Sequence, residues 1–248
     1  MAGISTYTVN DLVRYARANP SLIPINAISG WSMEPALSIA NYVLSFILSP
    51  PFSYPWNRNT TTFTASTSTQ DNVVSALTAY GYIENANLSI AGTSPSNLTL
   101  NVRHVLGIDQ TVMRPNSICV FKQDPSTGNV TFRLFPLSDQ AYSVVVVFQQ
   151  APARLTALSG TFSPVPDQFF YLIEQGFIAR SYEYSGDPRA EVAMDLFIRQ
   201  VVAANTGLTE TERNIFLKER LITQKDVQRI VTSRAELGMQ VQQQPRGA

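Results

Sequence analysis

The chain holds one histidine, His104, and one cysteine, Cys119. A histidine-based triad or an imidazole-rich metal centre would have to be built around the first, and a thiol nucleophile would have to be the second. His104 lies in LTLNVRHVL, an alternating strand-like run, on the opposite face to Arg103 and Val105. With no second titratable group placed beside it, a sheet histidine with a hydrogen-bond partner is expected over a catalytic one. Cys119, between Ile118 and Val120, reads as a small buried apolar residue. Neither a nucleophile elbow nor a phosphate-cradling glycine loop occurs. No catalytic, cofactor or metal site is expected, and the chain is not expected to be an enzyme.

Three carboxylates offer a different chemistry. Asp187, Glu191 and Asp195 fall at i, i+4 and i+8, along one helical face, where acids can bind a divalent cation or serve as acid and base. Arg189 and Arg199 lie close by, and the spacing from Asp195 to Arg199 suits an ion pair. A charged solvent-facing or inter-subunit surface formed by Asp187, Arg189, Glu191 and Asp195 is therefore expected over a metal site. Sequons at Asn59, Asn87, Asn97 and Asn129 read as chance in a Ser/Thr/Asn-rich chain. The aromatic group Phe52, Tyr54, Trp56 and Phe63, near Trp31, could stack a ligand, but with Arg58 as its only neighbouring cation a hydrophobic plug between helix and sheet is favoured.

Composition excludes further classes. At 248 residues and 44% hydrophobic, the chain can bury a real core in one large or two modest domains. Eighteen basic residues balance eighteen acidic ones, leaving no field to gather nucleic acid or an anionic membrane. One cysteine rules out an intrachain disulfide framework. The first twenty residues lack the pattern of a signal peptide. The apolar run IANYVLSFILSPPF stops at its prolines, short of the ~20 residues that cross a bilayer, so no membrane span is expected.

Of the 36 charged residues, 15 lie in residues 1–165 and 21 in residues 166–248, which marks a change of architecture near Pro164 and Pro166. Before it, Thr8 is placed to cap a helix over 9–19. A second helix is expected over 33–48, with Pro35 in its first turn, Pro50 and Pro51 ending it, and Leu37, Ala40, Val43, Leu44, Ile47 and Leu48 facing inward. From residue 60 to 149 the period changes to two, giving strands over 60–66, 72–80, 82–91, 98–106, 118–123, 130–135 and 142–149. Asp124, Pro125 and Gly128 suit a hairpin between the fifth and sixth, and the last three strands read as a consecutive antiparallel meander. The run VVVV suggests a strand buried on both faces, or buried by a neighbouring subunit.

After Pro166 the pattern is helical. Asp167 is placed to cap a helix to Tyr182 bearing the stripe Phe170, Ile173, Phe177, Ile178 and Ser181. Gly186 closes it in a left-handed conformation and Asp187 caps the next helix, with Pro188 at its first position. A capping box of Thr209 and Glu212 opens a third helix to 221, and a fourth runs from 223 to about 238. MQVQQQPRGA is too polar to fold alone and reads as an arm. The expected class is α+β: a helical bundle made of N-terminal helices and a C-terminal helical hairpin, with a large antiparallel β-rich insertion. Its parts are residues 1–59, 60–150, 165–238 and the arm 239–248.

Three stretches together, GWSMEPALSIANYVLSFILSPPFSYPWNRN (30–59), RLFPLSDQAYSVVVVFQ (133–149) and VPDQFFYLIEQGFIARSYEYSGDPRAEVAMDLF (165–197), form a pattern. It resembles that of the head-to-tail adaptors of short-tailed bacteriophages, the tubular tail protein A type, over about two thirds of the chain. Such adaptors look like an N-terminal helical segment, a β-rich insertion and a C-terminal helical pair entered through a short proline phrase. The long strand-rich region from 60 to 130 and the helices after 207 depart from it. The resemblance implies a virion protein, assembled in the bacterial host cytoplasm, that forms a homo-oligomeric ring, often a dodecamer. The ring would sit between the portal protein and the tail nozzle or tail tube and pass DNA without reading its sequence. It also implies that the C-terminal segment docks on the portal, with Leu208, Glu212, Phe216, Arg220, Arg229 and Arg234 as the docking residues. A β-rich module binding a ligand or glycan is the rival reading; it needs Trp31, Tyr54 and Trp56 exposed together.

Overall fold

In the computed structural model the described residues are 5–18, 34–90, 98–104, 107, 111–124, 126–205, 208–211, 213, 214 and 217. They form an α+β protein with two hydrophobic cores, one helical and one between two sheets. The helices are α1 (Val9–Ala18), α2 (Ala36–Ile47), α3 (Phe170–Ser185) and α4 (Ala190–Ala204). None of the helices among these residues is long and apolar enough to cross a membrane.

Thr8 does begin α1: Asp11 accepts its N–H at 2.9 Å and its hydroxyl at 2.7 Å, one half of a capping box. The next two N–H groups donate to the carbonyls of Gly160 and Leu158, so the loop after the sheets closes the helix start. All six inward positions expected for α2 are buried. They meet α3 and α4 where Gly176 lies; a Cβ there would stand 2.6 Å from Val43 and 2.7 Å from Phe197. Helices from both ends of the chain thus share one apolar core.

Asp167 does not cap α3. A 3-10 turn over Asp167–Phe169 precedes the helix, and the carboxylate instead accepts the N–H and hydroxyl of Thr6, at 2.8 and 2.6 Å. A partner 161 residues away in sequence left no local signal. Gly186 closes α3 as expected, with φ at 68°. The Asp187 N–H reaches the Tyr182 carbonyl at 2.9 Å and the Gly186 N–H that of Glu183 at 3.2 Å, a Schellman arrangement.

Among the described residues eight strands make two four-stranded sheets, ordered β1-β8-β3-β4 and β2-β7-β6-β5. They are β1 (Arg58–Ala65), β2 (Asp71–Val74), β3 (Tyr80–Ile90), β4 (Leu98–Thr99), β5 (Asn101–Val102), β6 (Ser117–Asp124), β7 (Asn129–Phe135) and β8 (Tyr142–Gln150). All pairings are antiparallel except β5 with β6. The inner faces pack through Phe63 stacked on Phe132 (5.5 Å between centroids) and through Tyr80 against Phe132 and Phe148.

Four sequence expectations change here. The strand over 72–80 is two pieces, because Ala76, with φ at 60°, turns the chain from β2 into β3. The strand over 98–106 is the two short pairs β4 and β5, one in each sheet, so this segment bridges the sandwich. The β6–β7 hairpin forms as expected, with Asp124 accepting the Ser126 N–H at 3.0 Å and Gly128 at φ 70°. The meander, however, ends there: β8 crosses to the other sheet and lies between β1 and β3. Alternation is a property of each strand alone and carries no information about which sheet a strand joins.

The valine run is likewise buried on one face rather than two. Val144 and Val146 are fully buried between the sheets, whereas Val145 and Val147 are half-buried on the outer face. Thr62 and Asn87 flank Val145; Thr60 and Asn85 flank Val147. A central strand needs β-branched side chains on both faces to pack against its neighbours, whether or not a second layer covers them.

Candidate functional site

The α3–α4 corner gathers the charged residues that the sequence singles out. Asp187 accepts the Arg189 N–H at 2.8 Å and binds its guanidinium through both oxygens, each at 2.9 Å. It therefore caps the turn that leads into α4, three residues before the regular helix begins at Ala190. Arg189 in turn lies 4.5 Å over the Tyr182 ring. The hydrogen bond from Arg189 holds the Asp187 carboxyl below the usual range. About two turns on, Asp195 pairs with Arg199 at 2.8 Å, and on α3 Arg180 pairs with Glu183. Glu191 is exposed. Two of the three carboxylates are thus turned to arginines, and among the described residues no three acidic, histidine or cysteine side chains converge on one point. Between these pairs, Val192 (75% exposed) and Leu196 (46%) stand one turn apart on the outer face of α4.

The other candidates fall in different places. His104 is not a sheet residue: it is exposed at a bend beyond β5, since the strand stops at Val102. Cys119 is buried in β6, as expected. The aromatic group divides. Phe52 and Tyr54 are buried in the helical core; Trp56, half-buried, stacks on Tyr54 (4.7 Å) and packs on Phe169 (5.6 Å). Phe63 belongs to the sandwich core, because strand alternation aims it between the sheets. Of the docking residues, Leu208 is half-buried against the helical core; Glu212, Phe216, Arg220, Arg229 and Arg234 lie outside the described residues. So does Trp31. Arg213 donates to the Asn205 carbonyl at 2.7 Å, which ties the start of that segment to the end of α4.

Sequence reasoning missed the polar junction between the two cores. The amide of Gln149, fully buried, accepts the Tyr54 N–H at 3.1 Å and donates to the Tyr54 carbonyl at 3.2 Å. The same NH2 group donates to Glu84 at 2.7 Å, and Arg58 holds Glu84 with a bidentate pair. Burial raises the Glu84 pKa, but the hydrogen bonds from Arg58 and Gln149 outweigh it and leave the carboxyl below its usual range. Asn57 donates to the Gln150 carbonyl and Asn205 to that of Ser53, both at 3.0 Å, and the Tyr82 hydroxyl donates to that of Phe52. Segment 52–57 is therefore clamped by β3 and β8 on one side and by α4 on the other. The available signal was slight: a glutamine ending an otherwise apolar strand.

Two grooves flank Ser38 and Tyr42 on α2. One, of about 580 Å³, runs between α2 and Arg154; the other, of about 570 Å³, lies toward Arg180 and Tyr184. Arg180 stacks 3.8 Å over Tyr42, and Glu34 accepts the Ser38 N–H and hydroxyl at 3.1 and 2.7 Å. Arg180 with Tyr42 and Glu34 with Ser38 thus pair along the groove walls.

No protein-family model matches this chain, and neither does any curated protein.

Proposed function

We propose that the chain is a structural protein of a bacteriophage virion, a head-to-tail adaptor whose copies form a ring between portal and tail. The observation that carries this reading is the shared helical core. Helices from the two ends of the chain pack together while residues 58–150 form a separate β unit between them, which is the layout that the resemblance to adaptors implies. In this reading the helices form a bundle, often repeated twelvefold around a channel through which DNA passes. The α3–α4 corner, with Asp187, Arg189, Glu191, Asp195 and the exposed Val192 and Leu196, meets the neighbouring copy. The segment from Leu208 onward meets the portal.

The clamped junction at Gln149 supports the reading in mechanical terms, since a connector must transmit force between its parts without bending. The glycan-binding alternative needed Trp31, Tyr54 and Trp56 exposed together; Tyr54 is buried and Trp56 is stacked on it. The test is to mix the full chain with portal rings and tail components of the same virion and measure co-sedimentation. Binding to portal, lost when residues 218–248 are deleted, is the expected result. Cutting there spares Leu217, which packs on the helical core. No binding to any portal or tail component would reject the adaptor reading.

A further inference from the structure

The strand β1 is outermost in its sheet, and its register with β8 runs unbroken from Arg58↔Gln149 to Ala65↔Tyr142. Along an antiparallel edge strand, main-chain groups point alternately to the neighbour and to the outside. The Thr60 N–H donates at 2.8 Å to the side chain of Asn59. That puts Thr60 among the residues whose main chain faces outward, and by alternation Thr62 and Thr64 as well. Their side chains are exposed too.

Edge strands are normally guarded by a charge, a proline, a bulge or a covering element. After Arg58, β1 reads NTTTFTA, with no charge, no proline and no register shift, and among the described residues no strand pairs with its outer edge. The opposite side of the same sheet is guarded: β3 carries two register irregularities, Glu84, and the short strand β4. Among the described residues one edge is interrupted and the other runs regular and uncharged from Asn59 to Ala65.

We propose that β1 of one chain pairs antiparallel with β1 of a second copy, about a two-fold axis at Thr62. In that register Thr62 faces Thr62 of the second copy and Thr60 faces Thr64, so outward donors meet outward acceptors, with the Thr60 N–H exchanging the Asn59 side chain for the second copy's Thr64 carbonyl, and the side chains make Thr–Thr pairs. The one charge, Arg58, falls opposite Ser66, beyond the end of the strand, so no like charges meet. Phe63 falls opposite Thr61. The two sheets then join edge to edge, β8 and β3 continuing on both sides. A second copy supplies this match by symmetry alone, whereas a foreign strand would have to supply it by its own sequence. The contact is isologous and closes at two copies; a ring needs a head-to-tail contact, so this inference does not rest on the adaptor reading.

The experiment is sedimentation equilibrium of the full chain by itself, with Thr62→Lys, Thr64→Lys and Thr62→Val. The wild type is expected at twice its chain mass of 27.4 kDa. Thr62→Lys sets two ammonium groups across the axis, roughly 5.5 Å apart at Cα, and is expected to give the single-chain mass with an unchanged circular dichroism spectrum. Thr64→Lys sets its charges opposite Thr60 and is expected to weaken the pair less; Thr62→Val is expected to keep it. A wild type of single-chain mass at every concentration overturns the proposal. So does any larger mass, a ring included, that Thr62→Lys leaves unchanged, or a stronger effect at Thr64 than at Thr62.

Discussion

The carboxamide of Gln149 bonds the N–H and the carbonyl of Tyr54 at once, at 3.1 and 3.2 Å. A side chain here does what the main chain of a paired strand would do: it satisfies both polar groups of a buried residue where the chain leaves the helical core for the sheets. Because the Tyr54 ring is buried in the helical core and Gln149 lies next to the end of the inner strand β8, the two cores are joined by groups that cannot separate without exposing unpaired amides.

Gln149→Ala is expected to destabilise the protein by about 2–4 kcal/mol, since it orphans a buried N–H and a buried carbonyl and takes a donor from Glu84. Denaturant unfolding followed by tryptophan fluorescence, which reports on Trp56 beside the junction, measures it. A loss under about 1 kcal/mol would mean that the amide is not holding Tyr54.

Stability should fall on the acid side. The folded pKa of Glu84 is depressed below its unfolded value. Its stabilising contribution is therefore complete above the unfolded pKa, near 4.3, and is lost as pH drops through the folded one. Asp11 and Asp167 are depressed as well, by the hydroxyl groups of Thr8 and Thr6, and act in the same direction. Glu84→Gln should flatten part of the acid limb in a plot of unfolding free energy against pH. An acid limb of unchanged slope would contradict it.

Gly176→Ala gains about 1 kcal/mol of helix propensity, yet the added methyl meets Val43 and Phe197 inside 3 Å. Overpacking at a three-helix crossing outweighs the gain, for a net loss of about 1–2 kcal/mol. A rise in melting temperature would show that the crossing has room.

Along β8, Val146→Ala should cost about 2 kcal/mol or more, because its side chain is fully buried between the sheets. Val147→Thr, on the half-buried outer face, should fall within about 0.5 kcal/mol of wild type. Equal losses at the two positions would indicate a second covering layer in solution.

At the α3–α4 corner, Asp195→Asn removes an i,i+4 pair worth about 0.3–0.5 kcal/mol, an effect that salt should erase. Asp187→Asn should keep the cap, since asparagine accepts the Arg189 N–H equally well. If the corner meets a neighbouring copy, replacing Asp187, Glu191 and Asp195 together by amides weakens portal-templated assembly in a salt-dependent way. Assembly at full strength in low salt would remove the corner from the interface.

Local rules were legible in the sequence wherever cause and effect lie within a few residues. Thr8 beginning α1, Gly186 ending α3, Asp187 capping the turn into α4 and the Asp124–Gly128 hairpin depend on backbone groups one turn away. The α2 stripe and the strand period follow from which side chains a helix or strand aims inward. Tertiary structure alone decided that β8 leaves β7 for a place between β1 and β3, that 98–102 is shared between two sheets, that Phe63 and Tyr54 serve different cores, and that Asp167 binds Thr6 rather than its own helix. The physical reason is common to all four. Period and capping potential belong to a segment by itself, but pairing partners and buried hydrogen bonds are settled by which surfaces the whole chain can bury together.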